Sequence, residues 1–225
     1  PTFGDKTIQS ITIDAVDKWY AKTLEGKPTT RAHAYSLLRT ILETARTRDR
    51  IITENPCLIV GAGTATRKIK PRPATLEQLA IIVNEMPDDL QLMVLLATWT
   101  ALRFGELAEL RRKDIDVEEQ VIRIRRQAVR TADGWQVGDP KSDAGIRDVT
   151  IPPHIVPALE AHLAKFVGPK QNDLLFPPKT GGEHLQPSTL YRHWYKAREK
   201  ANRNDLRFHD LRHKQRGNGA LSCLG

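Results

Sequence analysis

Two short segments, Ala101-Leu102-Arg103-Phe104-Gly105-Glu106-Leu107 and Phe208-His209-Asp210-Leu211-Arg212-His213, hold residue types from which a phosphate site could be built. A guanidinium is always charged, and its planar fork matches phosphate oxygens two at a time. Two such forks, the His209 imidazole and the ammonium of Lys141 suit a phosphodiester whose charge grows in the transition state. Plainer readings exist for each residue. Arg103 could satisfy carbonyls at a helix end, and Lys141 could be a solvated lysine in a polar turn. His209 and His213, four apart, could form a metal pair. That motif needs Glu at its second position, where this chain has Asp210, and Arg212 between the histidines would repel a cation. No metal is expected.

These side chains need rigid mounts. Thr75-Leu76-Glu77-Gln78 has the form of a capping box and predicts a helix to about Met86. After Pro87 the apolar run Leu90 to Leu102 predicts a buried core helix, with Arg103 at its end and Gly105 turning the chain. From Val121 the period changes to two, and Asp133-Gly134 signals a hairpin. Short strands over Gln136 to Pro140 and Ile146 to Ile151 complete one small antiparallel sheet, with Lys141 at a mobile tip. Amphipathic helices follow over His154 to Val167 and from Ser188 or Thr189, the second carrying Tyr191, Trp194 and Tyr195 as packing residues.

Residues 1 to about 60 read as a separate helical unit. Asp14 can cap a helix bearing Val16, Trp19 and Tyr20, and Thr29 or Thr30 the next, whose apolar positions are Ala34, Leu37, Leu38, Ile41, Leu42 and Ala45. Arg31, Arg39, Arg46, Arg48 and Arg50 crowd that second helix. They form either a solvated basic face or a surface lying along a DNA backbone. Residues 61–73 read as a basic linker, stiffened by Pro71 and Pro73 and charged by Arg67, Lys68, Lys70 and Arg72.

The 225 residues suffice for two cores, and a net charge of +8 points towards a polyanion. Two cysteines exclude a disulfide framework, making a reducing, cytoplasmic setting the default. The Leu90–Leu102 run is too short and too polar for a membrane span, and no signal peptide is visible. The chain begins at Pro1, which leaves room for a preceding segment.

The three motifs in order, Ala-Leu-Arg-Phe-Gly-Glu-Leu at 101–107, Pro-Lys-Ser-Asp-Ala-Gly-Ile-Arg at 140–147 and His-Asp-Leu-Arg-His at 209–213, resemble the tyrosine recombinases of the phage integrase branch. The resemblance implies an α+β architecture: an N-terminal helical core-binding domain over 1–60, the basic linker, and a mostly helical catalytic domain with a small antiparallel sheet over 74–225. It implies that Arg103 and Arg212 grip the scissile phosphate, that His209 bonds it and assists proton transfer, and that Lys141 protonates the leaving 5′-oxygen. Glu106 would orient Arg103, and His213 would be a structural support. Duplex DNA would be the substrate, contacted by Arg31, Arg39, Arg46, Arg67, Lys68, Lys70 and Arg72, with other recombinase subunits as partners on it. No cofactor is implied. The family's reaction passes through a 3′-phosphotyrosyl intermediate, whose tyrosine lies beyond the His-x-x-Arg segment. No tyrosine follows Tyr195 here. The expectation is therefore a phosphate clamp without its nucleophile, on a chain cut short or shifted in frame. The alternative is a non-catalytic remnant that occupies recombination sites.

Overall fold

The computed structural model describes residues 2–65, 72–140 and 143–213. Arg67, Lys68, Lys70 and Lys141 lie outside the described residues, as does everything beyond His213. The chain divides into two compact units, residues 1–70 and 71–225.

The first unit is built on α1 (Ile13–Lys22) and α2 (Pro28–Thr47). The expected caps are displaced. Thr12, not Asp14, caps α1 by accepting the Ala15 N–H, and Pro28 opens α2 with no side-chain cap. A proline at the first helical position needs none for its own nitrogen, because it has no N–H to satisfy. Val16, Tyr35, Leu42, Cys57 and Ala62 form the core. Ala62 in that core means that the segment joining the units begins later than residue 61. Leu37 and Ile41, expected on the apolar face of α2, are 63% and 50% exposed. The core face runs instead through Ala32, Tyr35, Leu42 and Ala45.

The second unit centres on α4 (Asp88–Trp99), which buries Leu90, Leu92, Met93, Val94, Leu96, Ala97 and Thr98. A helix apolar on nearly every side is stable only when surrounded. α3 (Leu76–Glu85), α6 (Val156–Phe166) and the Phe208–His213 turn pack against it, and α7 (Pro187–Lys200) packs on α3 within the same core. The capping box at Thr75 is present in both directions: Thr75 Oγ1 accepts the Gln78 N–H at 3.2 Å, and Gln78 Oε1 accepts the Thr75 N–H at 3.1 Å. α7 starts at Pro187, one residue before the expected Ser188.

The strands form two sheets where one was expected. β1 (Ile115–Asp116), β2 (Val121–Ile124) and β5 (Arg147–Thr150) make an antiparallel sheet in the order β1-β2-β5. β3 (Gln127–Thr131) and β4 (Gly134–Gly138) pair separately as a hairpin, in register from Gln127 with Gly138 to Thr131 with Gly134. The period-two pattern fixes which face each strand buries, but not which strand it pairs with.

The turn that presents Arg103 differs from expectation. α4 ends at Trp99, and Ala101 makes the turn with φ +54°. Gly105 lies inside α5 (Phe104–Glu109), where a Cβ would stand 2.6 Å from the Ala128 carbonyl oxygen of β3. The glycine is therefore a close-approach residue. It lets α5 lie against the hairpin.

Candidate active site

Arg103 occupies the position just before α5, and Glu106 sits three residues on, inside the first turn. This spacing lets Glu106 reach back to the backbone, as the third residue of a capping box does. Glu106 Oε2 accepts the Arg103 backbone N–H at 2.8 Å, and Oε1 accepts its Nη1–H at 2.8 Å. The carboxylate is 1% exposed, while the Arg103 side chain is 45% exposed. A buried anion thus holds the root of a guanidinium whose far side meets solvent.

Glu106 also receives Arg147 from β5, Nη1 at 3.2 Å on Oε1 and Nη2 at 3.0 Å on Oε2. Arg147 Nη1 additionally donates to the Gly145 carbonyl at 2.9 Å. Burial pushes the Glu106 carboxyl upward. The Arg147 fork and the bonds from Arg103 outweigh this and hold it below the ordinary glutamate range. Arg147 belongs to a quoted motif, yet sequence alone gave it no role. Its signal was the pairing of β5 with β2, which only the fold supplies.

The second segment, Phe208–His213, is a 3₁₀ helix. Phe208 and Leu211 are buried, and Phe208 meets the wholly buried Trp194 edge-on at 5.4 Å. Residues three apart eclipse in a 3₁₀ helix, so anchoring Phe208 and Leu211 leaves His209 and Arg212 sharing another face. His209 is exposed and Arg212 partly so. Asp210, also buried, accepts the Arg207 backbone N–H at 3.2 Å and its guanidinium at 2.9 and 2.7 Å. That carboxylate braces the turn. Among the described residues no group of three or more His, Cys, Asp or Glu could hold a metal ion.

The two segments meet. Arg212 Nε donates to the Ala101 carbonyl at 2.6 Å, across 111 residues of chain. The left-handed turn at Ala101 thus receives one arginine two residues before the other begins. Arg203 supports the approach from behind. It is 8% exposed and donates to the Pro73 carbonyl at 3.2 Å and to Gln78 Oε1 at 2.9 Å, binding the start of the second unit to the turn before Phe208. Nothing in the sequence singled it out, because a buried arginine looks like a surface one until its acceptors are known.

Of the expected site residues, Arg103, Glu106, His209 and Arg212 are brought to neighbouring turns. Lys141 lies outside the described residues, and the His213 side chain is not described. Asp139 and Pro140, which precede Lys141, follow β4 directly. In the first unit Arg39 and Arg46, seven apart on α2, share an exposed face. Arg46 is already paired with Glu43 Oε1, and Arg31 stacks over the Tyr20 ring at 4.8 Å. Arg72 is exposed. On α7, Tyr195 is 52% exposed, against the expectation of a packed residue, and lies between Tyr191 and the Arg198 guanidinium. Among the described residues no helix is long and apolar enough to cross a membrane.

Comparison with known proteins meets this geometry. A protein of prophage phiRv2 in Mycobacterium tuberculosis, described as an integrase, is 55% identical over 213 residues, 94% of this chain and 56% of the relative. The integrase of Mycobacterium phage D29 is 37% identical over 215 residues, 94% of this chain and 57% of its own length. The chain thus spans about half the length of the curated relatives it matches. Among solved structures, the Tn1549 transposon integrase in complex with transposon right end DNA superposes with a TM-score of 0.74 at 20% identity, covering 92% of this chain and 72% of that one. A lambda integrase dimer bound to a COC′ core site gives 0.64 at 20% identity, with the same coverage. The sequence pattern of the phage integrase family matches residues 72–215, a span holding both arginine segments, and the chain belongs to that family.

Proposed function

We propose that this chain grips a DNA phosphodiester as part of a site-specific recombinase or integrase of a phage or other mobile element. The observation that carries this is the bond from Arg212 Nε to the Ala101 carbonyl, which brings the second arginine to the turn presenting the first. Arg103 and Arg212 take the non-bridging oxygens and stabilise the charge that develops on them. His209, on the same face as Arg212, bonds the phosphate and moves the proton of the attacking hydroxyl. Lys141 protonates the departing 5′-oxygen. Glu106 fixes Arg103 without touching the substrate. His213 is a support for the turn.

The same proposal makes duplex DNA the partner, along Arg31, Arg39, Arg46 and the 67–72 basic run, with further recombinase subunits on the DNA and a cytoplasmic setting. It uses neither metal nor nucleotide. The relatives named above are integrases, and the superposed structures were solved on DNA, which supports it.

Strand cleavage by this chemistry needs a tyrosine hydroxyl in line with the leaving oxygen. Such positioning can be worth roughly 7–11 kcal/mol of barrier. Tyr35 is buried with its hydroxyl accepting the Ile59 N–H at 2.8 Å, and Tyr20 packs edge-on against it at 5.3 Å. Tyr191 and Tyr195 are stacked on α7. We therefore assign residues 1–225 to binding and clamping, with the nucleophile supplied by residues other than these. Binding without cutting is the second reading, and the same experiment separates the two.

The test is a nicked suicide duplex incubated with the 225-residue chain. We expect retention that falls steeply with salt, by roughly a thousandfold between 50 and 200 mM if six or more phosphates are neutralised, and no covalent band on a denaturing gel. Salt-independent retention would overturn the DNA assignment. A covalent band would overturn the assignment of the nucleophile.

A further inference from the structure

We infer that Arg147 is a positioning residue that keeps the Arg103 fork open for phosphate, by occupying the acceptor sites of Glu106 that would otherwise draw Arg103 inward. This assignment rests on the phosphate-clamping function proposed above and adds a residue to it.

An ionised carboxylate offers about four lone-pair directions. On Glu106 four donors fill them: the Arg103 backbone N–H and Arg147 Nη2 on Oε2, and Arg103 Nη1 and Arg147 Nη1 on Oε1. Among the described residues, the Arg103 side chain is therefore held at one nitrogen only. An arginine and a carboxylate left to themselves prefer the bidentate arrangement, with two parallel N–H bonds. Glu106 is 1% exposed, so water cannot fill a vacated lone pair cheaply. Remove Arg147, and the strongest remaining donor is Arg103 itself. Its guanidinium would swing onto Glu106 in the bidentate mode and take from the site the fork that a phosphate needs.

The placement of Arg147 is itself over-determined. β5 pairs Arg147 with Ile124 of β2, and the bond to the Gly145 carbonyl fixes the guanidinium from the other side. Gly145 in turn packs against Pro140, where a Cβ would come within 2.3 Å of the proline Cβ. Arg147 is thus set by backbone on two sides and cannot follow Arg103 out towards solvent.

The experiment is a titration with inorganic orthovanadate, read as the dissociation constant for the wild-type chain and for Arg147→Ala, Arg147→Lys, Arg103→Ala and the double variant Arg103→Ala/Arg147→Ala. Melting temperature without ligand is recorded in parallel. Arg147→Ala should weaken vanadate by about tenfold, the effect of one charge-assisted bond. Arg147→Lys should recover part of the affinity, because a lysine fills one acceptor site but not two. In the Arg103→Ala background, removing Arg147 should leave vanadate affinity unchanged while still lowering the melting temperature. A merely structural Arg147 would shift stability alike in both backgrounds and leave the affinity alone, and that result overturns the inference. So does an Arg147→Ala protein that binds vanadate as tightly as wild type. Should Arg147→Ala fail to fold, Arg147→Lys with undiminished affinity would overturn it equally. If the wild-type chain itself shows no Arg103-dependent vanadate binding, the failure lies in the phosphate-clamping function.

Discussion

Glu106 and Glu109 stand one turn apart on a six-residue helix, each 1% exposed and each holding several cations, yet they organise opposite kinds of region. Glu109 Oε1 accepts Arg111 Nε at 2.7 Å and Arg126 Nε at 3.2 Å, while Oε2 lies 2.6 Å from His184 Nε2. Arg126 is held a second time, by Asp114 at 2.7 Å, and the His184 ring packs on Trp135 of β4 at 5.1 Å. This side ties α5, the hairpin and the loop before α7 together. Its arginines are only 28% and 27% exposed, against 45% for Arg103. A buried carboxylate is thus not in itself the mark of a site. What separates the two is whether the partner arginine keeps part of its fork turned to solvent.

The largest effect expected from this contrast is on stability. Glu109→Ala strands Arg111, Arg126 and His184 around a cavity, and removing one member of a buried ionic cluster costs about 3–5 kcal/mol. Glu106→Gln keeps the shape and loses the charge, at about 1–3 kcal/mol. Urea unfolding of both variants, with vanadate binding measured on the folded protein, sharpens the contrast. Glu106→Gln should lose phosphate-analogue binding out of proportion to its stability, and Glu109→Ala should do the reverse. Equal loss of binding in both would erase the distinction.

Acid provides a smaller, joint effect. Burial raises the Glu109 carboxyl, but Arg111, His184 and Arg126 outweigh it, so like Glu106 it lies below the ordinary glutamate range. A depressed folded-state value means that the stabilisation is fully present above the unfolded value, about 4.3, and is lost as pH falls through the lower folded value. Wild-type stability should therefore drop below about pH 4. A Glu106→Gln/Glu109→Gln chain should lose less over the same window, as urea midpoints at a series of pH values would reveal.

The smallest effect concerns the turn beneath the clamp. Ala101 sits at φ +54°, which costs an L-residue about 1 kcal/mol that glycine escapes. Glycine also loosens the unfolded chain, so Ala101→Gly should change stability by less than about 1 kcal/mol. A loss of several kcal/mol in the same urea assay would mean that the Ala101 methyl matters to the packing more than its backbone does.

These contrasts also mark what the sequence could disclose. The pairing of Arg103 with Glu106, and of His209 with Arg212, within single turns was legible because three-residue spacing fixes it locally. The capping box at Thr75 was legible for the same reason. The bonds of Arg147 to Glu106, of Arg203 to Pro73 and of His184 to Glu109 were not, since they span 41, 130 and 75 residues and local pattern carries no information at that range. Asp133-Gly134 gave the hairpin. The division into two sheets was hidden, because alternation is identical whichever partner a strand takes. Leu37 and Ile41 misled because helical periodicity identifies an apolar stripe but not the fraction of it that a small unit can cover.

The central claim is that Arg103 and Arg212 belong to one phosphate-binding surface. Thermal unfolding of the wild-type chain, Arg103→Ala and Arg212→Ala, each with and without orthovanadate, tests it most directly. The account predicts that vanadate raises the wild-type melting temperature, that both variants fold, and that each loses the vanadate-induced rise. Variants that both keep the full rise would show that the oxyanion binds elsewhere and that these arginines do not form the site.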